Sequence, residues 1–174
     1  MQPVQILINN LLYDFSQTGI PFDDVDREDL IKPPKWKIDN IRRFMIFIGP
    51  ISSIFDYATY ALMWFVFGAT SVDNQALFQT GWFVESLMTQ TLIVHVIRTA
   101  KVPFFQSRAS LPMLLITATI MGVGMYLPFS TIAASLGFVP LPAVYFLWLA
   151  LILTCYCVLT QCVKTWFIKK YGYT

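Results

Sequence analysis

Four long, nearly uncharged runs of apolar residues constrain the fold of this chain more than any other feature. They occupy residues 44–68, 77–98, 111–129 and 141–164. Each run is long enough for an α-helix to cross a hydrocarbon core roughly 30 Å thick, which takes about 20 residues. Because backbone polar groups in lipid must be hydrogen-bonded within the protein, such runs form helices there. The sequence therefore predicts an all-α membrane protein.

A fifth transmembrane helix is predicted over residues 1–22. This run is long enough to cross a membrane but is unusually polar, because it contains Asn9, Asn10, Asp14 and Gln17. A hydropathy scan is expected to miss it. The whole chain still has only 13% charged residues, against about 25% in a typical soluble domain. We therefore expect five membrane-spanning helices with short connections, and membrane lipid as the surrounding medium.

The basic residues predict how these helices are oriented. All 12 lysines and arginines lie in or directly beside segments 23–43, 99–110 and 165–174, whereas 69–76 and 130–140 contain none. Cytoplasmic segments of membrane proteins carry an excess of Lys and Arg. We therefore predict that 23–43 and 99–110 are cytoplasmic loops, that 165–174 is a cytoplasmic tail, and that the first helix begins on the outer side.

Several classes of function are not supported by the sequence. The net charge of +2 is small, and the basic residues lie beside apolar runs, so we predict no nucleic-acid partner. The chain shows no glycine-rich phosphate loop, no Ser/His/Asp arrangement and no zinc-ligand spacing. We predict neither catalytic residues nor a cofactor-binding site within this chain.

The first helix carries the strongest candidate ion ligands, Asn10 and Asp14. They lie four residues apart and so share one helix face, which Gln17 continues. Mg²⁺ takes oxygen ligands, commonly one or two carboxylates together with retained water. The pattern suits a divalent-cation site, although hydrogen bonds between packed helices are an alternative role for these side chains.

Glu85 and Asp56 are the other candidate metal ligands. Ionisable side chains at membrane depth are costly and usually serve a pathway or a partner. Glu85 could supply a second carboxylate, but its nearness to Trp82 also permits a position at the membrane interface. Asp56 lies within its apolar run and could contact an ion or form a structural pair.

Residues 3–14, PVQILINNLLYD, resemble the sixth transmembrane helix of cation-pumping P-type ATPases, and the acidic segment and KPPK that follow resemble the next loop of those pumps. The family motif is P-x-Q-L-L-x-x-N-L-x-x-D, and its Asn and Asp are intramembrane cation ligands. They correspond here to Asn10 and Asp14. Tyr13 stands where calcium pumps carry threonine, which argues against a calcium-type site.

The rest of the chain resembles the bacterial magnesium-transporting branch of this family. The matching stretches lie within residues 43–56, 80–86, 90–99 and 103–109. The resemblance covers essentially the whole chain, and it implies helices six to ten of a ten-helix pump. It also implies that the phosphorylated aspartate and the ATP-binding domain belong to an N-terminal remainder of the same pump, outside this chain.

On this resemblance, the intact enzyme would couple ATP hydrolysis, through an aspartyl-phosphate intermediate, to Mg²⁺ entry across the bacterial inner membrane. This chain would supply part of the cation pathway. The alternative is a self-standing secondary transporter or a regulatory membrane subunit, whose polar first helix lines a pathway or packs against another protein. A five-helix structural protein without transport activity is a third reading.

Overall fold

The computed structural model describes residues 1–24, 38–104 and 106–171, and the regular secondary structure in that part of the chain is entirely helical. Most of the predicted loop at 23–43 and the end of the predicted tail lie outside the described residues. The described residues contain five α-helices: α1 Pro3–Gln17, α2 Ile38–Ala61, α3 Gln75–Ile97, α4 Leu111–Tyr126 and α5 Ala143–Tyr171. The expected number of helices is therefore confirmed for that part of the chain.

Three stretches of the described residues are both long enough and apolar enough to cross a membrane. They are Arg42–Val66, Leu111–Phe129 and Ala143–Tyr171. The polar α1 is not among them, and its 15 residues are fewer than the predicted run of 1–22 and fewer than the roughly 20 that a crossing takes. Helix α3 is also not among them, which was not predicted from the sequence. Its 23 residues are long enough to cross a membrane, but they are too polar on average.

The position of α3 explains its polarity. It packs against α1, α2, α4 and α5, and most of its side chains are buried. Because other helices rather than lipid surround α3, its sequence does not have to be uniformly apolar. Phe83, Val84 and Leu87 contribute to the main core, together with Met63, which follows α2, and Tyr145 from α5.

Several helix ends differ from the predicted boundaries. Helix α2 begins at Ile38, inside the predicted loop, and α5 continues to Tyr171, inside the predicted tail. An apolar run marks the part of a helix that is suited to lipid. Helical hydrogen bonding can continue into polar residues on either side of that run, so these helices extend past their apolar runs. After Ala61 the chain continues into a π-helical turn, Leu62–Val66, which brings Met63 against Gly81 of α3.

One end of the bundle is held together around the α4–α5 connection. Gln5 is fully buried, and its amide nitrogen donates to the carbonyl oxygens of Leu136 (3.2 Å) and Gly137 (3.0 Å). Its side-chain oxygen accepts a hydrogen bond from the Gln2 backbone N–H at 3.0 Å. Gly137 has a φ of 72°, which glycine adopts without strain. These contacts fix the start of α1.

The opposite end carries the basic residues of the described chain and is called the basic end here. It contains the last residues of α1, α3 and α5 and the first residues of α2 and α4. Arg98 donates to Asp23 at 2.5 Å, and Asp23 also accepts a hydrogen bond from the Ser110 backbone N–H at 2.8 Å. The segment after α1 is thereby joined to the end of α3 and the start of α4.

Lys164 of α5 adds a second connection at the basic end. Its side chain is only 2% exposed, and its ammonium donates to the backbone oxygens of Val96 (2.8 Å), Thr99 (3.1 Å) and Lys101 (3.0 Å). A lysine ammonium has three N–H donors, so all of them are used. The positive charge also lies at the negative end of the α3 dipole. Lys164 therefore caps α3 from a different helix.

We predict that Lys164→Met lowers the free energy of unfolding by about 3 kcal/mol or more, because it leaves three buried carbonyl groups without their charged donor. Lys169→Met, at an exposed position of the same helix, is the matched control and is expected to have little effect. The measurement is thermal unfolding of the detergent-solubilised protein. Equal melting temperatures for the two variants would contradict the capping role.

Candidate ion pathway

Glu85 is the most unusual polar side chain of the described bundle. It is fully buried in α3, and neither of its carboxyl oxygens has a hydrogen-bond partner among the described residues. It lies ten residues after Gln75, the first residue of α3, and hence about 15 Å along the helix. That distance is half the thickness of a typical hydrocarbon core. This position favours a pathway residue over an interfacial one.

Hydroxyl groups near Glu85 are bonded elsewhere. The Thr89 hydroxyl lies close to the Glu85 carboxyl group, but it donates to the backbone oxygens of Glu85 and Ser86, both at 3.1 Å. Tyr145 and Tyr156 are close enough to interact with Glu85 electrostatically. The Tyr145 hydroxyl, however, donates to the Gly81 carbonyl oxygen at 2.6 Å, and the Tyr156 hydroxyl lies 3.2 Å from Ser52 Oγ. The carboxyl group of Glu85 is therefore close to potential partners that are already occupied.

Asp56 of α2 lies on the same side of α3 as Glu85 and interacts with it electrostatically. Its Oδ1 atom accepts a hydrogen bond from Trp82 Nε1 at 2.9 Å, and the residue is half-buried. Trp82 precedes Glu85 by one helical turn. Asp56 thus forms the structural pair considered from the sequence, and its second carboxylate oxygen is not used in that bond.

Asn10 and Asp14 are both exposed on α1. The large apolar residues Leu7, Leu11 and Phe15 are exposed on the same helix. A surface that mixes apolar side chains with an amide and a carboxylate is poorly suited to direct contact with lipid. The exposed side of α1 therefore has the character of a protein-facing surface.

The structure does not bring the four predicted ligands into one cluster. Glu85 lies inside the bundle with Asp56 beside it, whereas Asn10 and Asp14 lie on the surface of α1. Within residues 1–24, 38–104 and 106–171, no group of three or more His, Cys, Asp or Glu side chains is placed to hold a metal ion. The described residues thus offer two separate sets of oxygen ligands, neither of which forms a complete coordination shell.

Asn9 is a buried polar residue that was not selected from the sequence. Its Nδ2 atom lies 3.4 Å from Ser86 Oγ of α3, and Gln90 Nε2 donates to the same oxygen at 3.0 Å. Asn9 follows Gln5 by four residues, so both lie on the side of α1 that faces the bundle. The four-residue spacing from Gln5 could have predicted that Asn9 is buried, but the family motif places its ligand asparagine at the neighbouring Asn10.

We predict that Glu85→Met preserves or raises the free energy of unfolding, because the substitution replaces a carboxyl group that is buried without a hydrogen bond among the described residues by an apolar side chain of similar length. Tyr145→Phe, in the same part of the core, should instead lower it by about 1 kcal/mol, because it removes a satisfied hydrogen bond to Gly81. Thermal unfolding of both variants provides the comparison. A larger loss of stability in Glu85→Met than in Tyr145→Phe would show that the carboxyl group has a structural partner.

Comparison with known proteins identifies the context of this bundle. The family model described as "Cation transporting ATPase, C-terminus" matches residues 1–166. The chain is 54% identical over 172 residues to the magnesium-transporting ATPase, P-type 1, of Salmonella typhimurium strain LT2. It is also 54% identical over 173 residues to the protein of the same name from Escherichia coli K12.

Both alignments cover 99% of this chain but only 19% of the length of each relative. The similarity extends over all five helices, including the polar α1 and the central α3. The chain therefore belongs to the family of C-terminal regions of cation-transporting ATPases, in which its relatives are magnesium-transporting P-type pumps.

Proposed function

We propose that this chain forms part of the membrane domain of an ATP-driven Mg²⁺ importer and supplies oxygen ligands to its intramembrane cation pathway. The observation that carries the proposal is Glu85, a carboxyl group buried near the middle of a helical bundle without a hydrogen-bond partner among the described residues. Such a group is retained where an ion or proton passes. The identity to magnesium-transporting relatives supports the choice of ion.

In this proposal the five helices are helices six to ten of a ten-helix pump, and α1 is the sixth. The exposed side of α1, with Asn10 and Asp14, then packs against the remainder of the same pump. This assignment accounts for a carboxylate and an amide lying among exposed apolar side chains. Helices contributed by the remainder would complete the coordination that the described residues leave open.

The proposed ligands have the chemistry that Mg²⁺ requires. This ion prefers oxygen atoms in octahedral geometry and usually keeps several of its waters. Asp14 and Asn10 would provide one carboxylate and one amide oxygen from α1, and Glu85 would provide a second carboxylate from α3. Asp56 has a smaller part, because Trp82 already occupies one of its oxygens.

ATP binding and the aspartyl-phosphate intermediate are assigned to the remainder of the pump. In this proposal, ATP hydrolysis in the remainder of the pump would act on this chain by moving the helices that pack against α1. The basic end would face the cytoplasm of the bacterial cell, since Lys and Arg are enriched on that side of membrane proteins. The protein would reside in the inner membrane with the end of α5 on the cytoplasmic side.

We predict that Asp14→Ala in the full-length pump reduces Mg²⁺ uptake at least about tenfold, because it removes a charged ligand of the ion. Uptake is measured in bacterial cells that lack other Mg²⁺ importers, with the amount of pump in the membrane determined in parallel. Asp73→Ala is the matched control, because this carboxylate is exposed in the loop before α3. Uptake at the normal rate by a correctly inserted Asp14→Ala pump would remove Asp14 from the pathway.

We also predict the orientation of the bundle. In a pump without native cysteines, Ser71→Cys should react with a membrane-impermeant maleimide added to intact cells, because it lies at the end opposite the basic end. Lys169→Cys, which is exposed near the end of α5, should react only after the membrane is permeabilised. The reverse labelling pattern would contradict the proposed orientation.

A further inference from the structure

The helices that carry the proposed ligands are joined by a polar contact at the level of those ligands. Asn9 directly precedes Asn10 on α1, and Ser86 directly follows Glu85 on α3. The contact between Asn9 Nδ2 and Ser86 Oγ therefore connects the neighbours of two proposed ligands. Successive residues of a helix are turned by about 100°, so Asn9 faces α3 while Asn10 faces outward.

The side-chain oxygen of Asn9 is buried and receives no hydrogen bond from the described residues. The whole residue is only 4% exposed. A buried acceptor without a donor costs about 1–3 kcal/mol. An apolar side chain of similar size would avoid that cost if the position served only for packing.

Gln5 shows what a purely structural amide looks like on the same face of the same helix. Both of its side-chain polar atoms are hydrogen-bonded, the nitrogen to two carbonyl oxygens and the oxygen to the Gln2 N–H. Asn9 differs because only its nitrogen is held by the protein. Its oxygen is thereby fixed in direction and still available to a ligand.

We propose that Asn9 is an additional residue of the cation pathway, held by Ser86 so that its Oδ1 atom contacts Mg²⁺ or the water that the ion retains. This inference rests on the proposed function. An amide oxygen is a suitable neutral ligand for this ion, and its position between α1 and α3 places it between the Asp14 and Glu85 sides of the pathway.

The test uses the full-length pump in proteoliposomes, with Mg²⁺ on the side opposite ATP, and measures uptake as a function of Mg²⁺ concentration. Asn9→Leu keeps the branching of the side chain at Cγ but removes the oxygen, and we expect the Mg²⁺ concentration for half-maximal uptake to rise about tenfold. Asn9→Asp keeps an oxygen at the same position but loses the nitrogen that contacts Ser86, so we expect this concentration to rise by no more than about threefold, clearly less than in Asn9→Leu.

Gln5→Leu is the matched control for loss of a buried amide. It is expected to lower the melting temperature, because two carbonyl groups lose their donor, without changing the Mg²⁺ concentration for half-maximal uptake. If Asn9 has only a structural role, Asn9→Leu will likewise lower the melting temperature without changing the Mg²⁺ concentration for half-maximal uptake. A structural role also predicts that Asn9→Asp impairs the pump as much as Asn9→Leu, since both variants lack the nitrogen that contacts Ser86. Either outcome overturns the inference.

If Asn9→Leu does not insert correctly, Asn9→Asp and Ser86→Ala decide the question. Ser86→Ala frees the Asn9 side chain, and we expect a several-fold higher Mg²⁺ concentration for half-maximal uptake; no change would overturn the inference. Asp14→Ala is measured in parallel. If Asp14→Ala fails to transport and the Asn9 variants behave normally, only the role of Asn9 is rejected. If all variants transport normally, the proposed function itself is rejected.

Discussion

The lack of a hydrogen-bond partner for the Glu85 carboxyl group within the described bundle is the constraint on which the rest of the structure depends. A buried carboxyl group without hydrogen bonds costs at least about 1 kcal/mol even when neutral, and the cost rises steeply if the group is charged. In this bundle the potential donors nearby are committed to other acceptors, notably Tyr145 to Gly81. Within the described residues the core is packed so that this carboxyl group has no donor, which is a costly arrangement for a protein that only has to fold.

Polar side chains with several hydrogen bonds join the helices at both ends of the bundle. Gln5 does so at the start of α1, and Lys164 and the Arg98–Asp23 pair do so at the basic end. Asn9 and Glu85 lie between these ends and are among the described residues whose buried side-chain atoms lack a partner, a property that Ser110 and Gln161 share. Firm attachment at the ends would hold Asn9 and Glu85 in place, as the proposed pathway requires.

Much of the fold could be predicted from the sequence because lipid imposes simple rules on length and polarity. The helices α2, α4 and α5 follow from their apolar runs, and α1 followed from a motif despite its polarity. The central position of α3 could not be predicted, because hydropathy does not distinguish a polar helix shielded by neighbours from one that is unsuited to a membrane. Helix ends were misplaced for a related reason, since an apolar run does not report where helical hydrogen bonding stops.

The candidate site was less accessible to sequence analysis. Asn10 and Asp14 were selected from the motif, but which helix face is buried depends on partners that the motif does not describe. Glu85 was recognised as a candidate, whereas its full burial depends on packing from α2 and α5. Asn9 is only one of several polar residues of α1 in the sequence. Its candidate role depends on the unpaired Oδ1 atom, which follows from the packing of α1 against α3.

The burial of Lys164 has a consequence for how the protein is made. In the proposed orientation its charge counts among the residues that retain a segment on the cytoplasmic side during insertion, yet in the folded bundle the side chain is buried and its ammonium donates to three backbone oxygens. The same positive charge can thus orient the last helix during membrane insertion and, after folding, cap the end of α3. One side chain would then serve first in insertion and later in the folded structure.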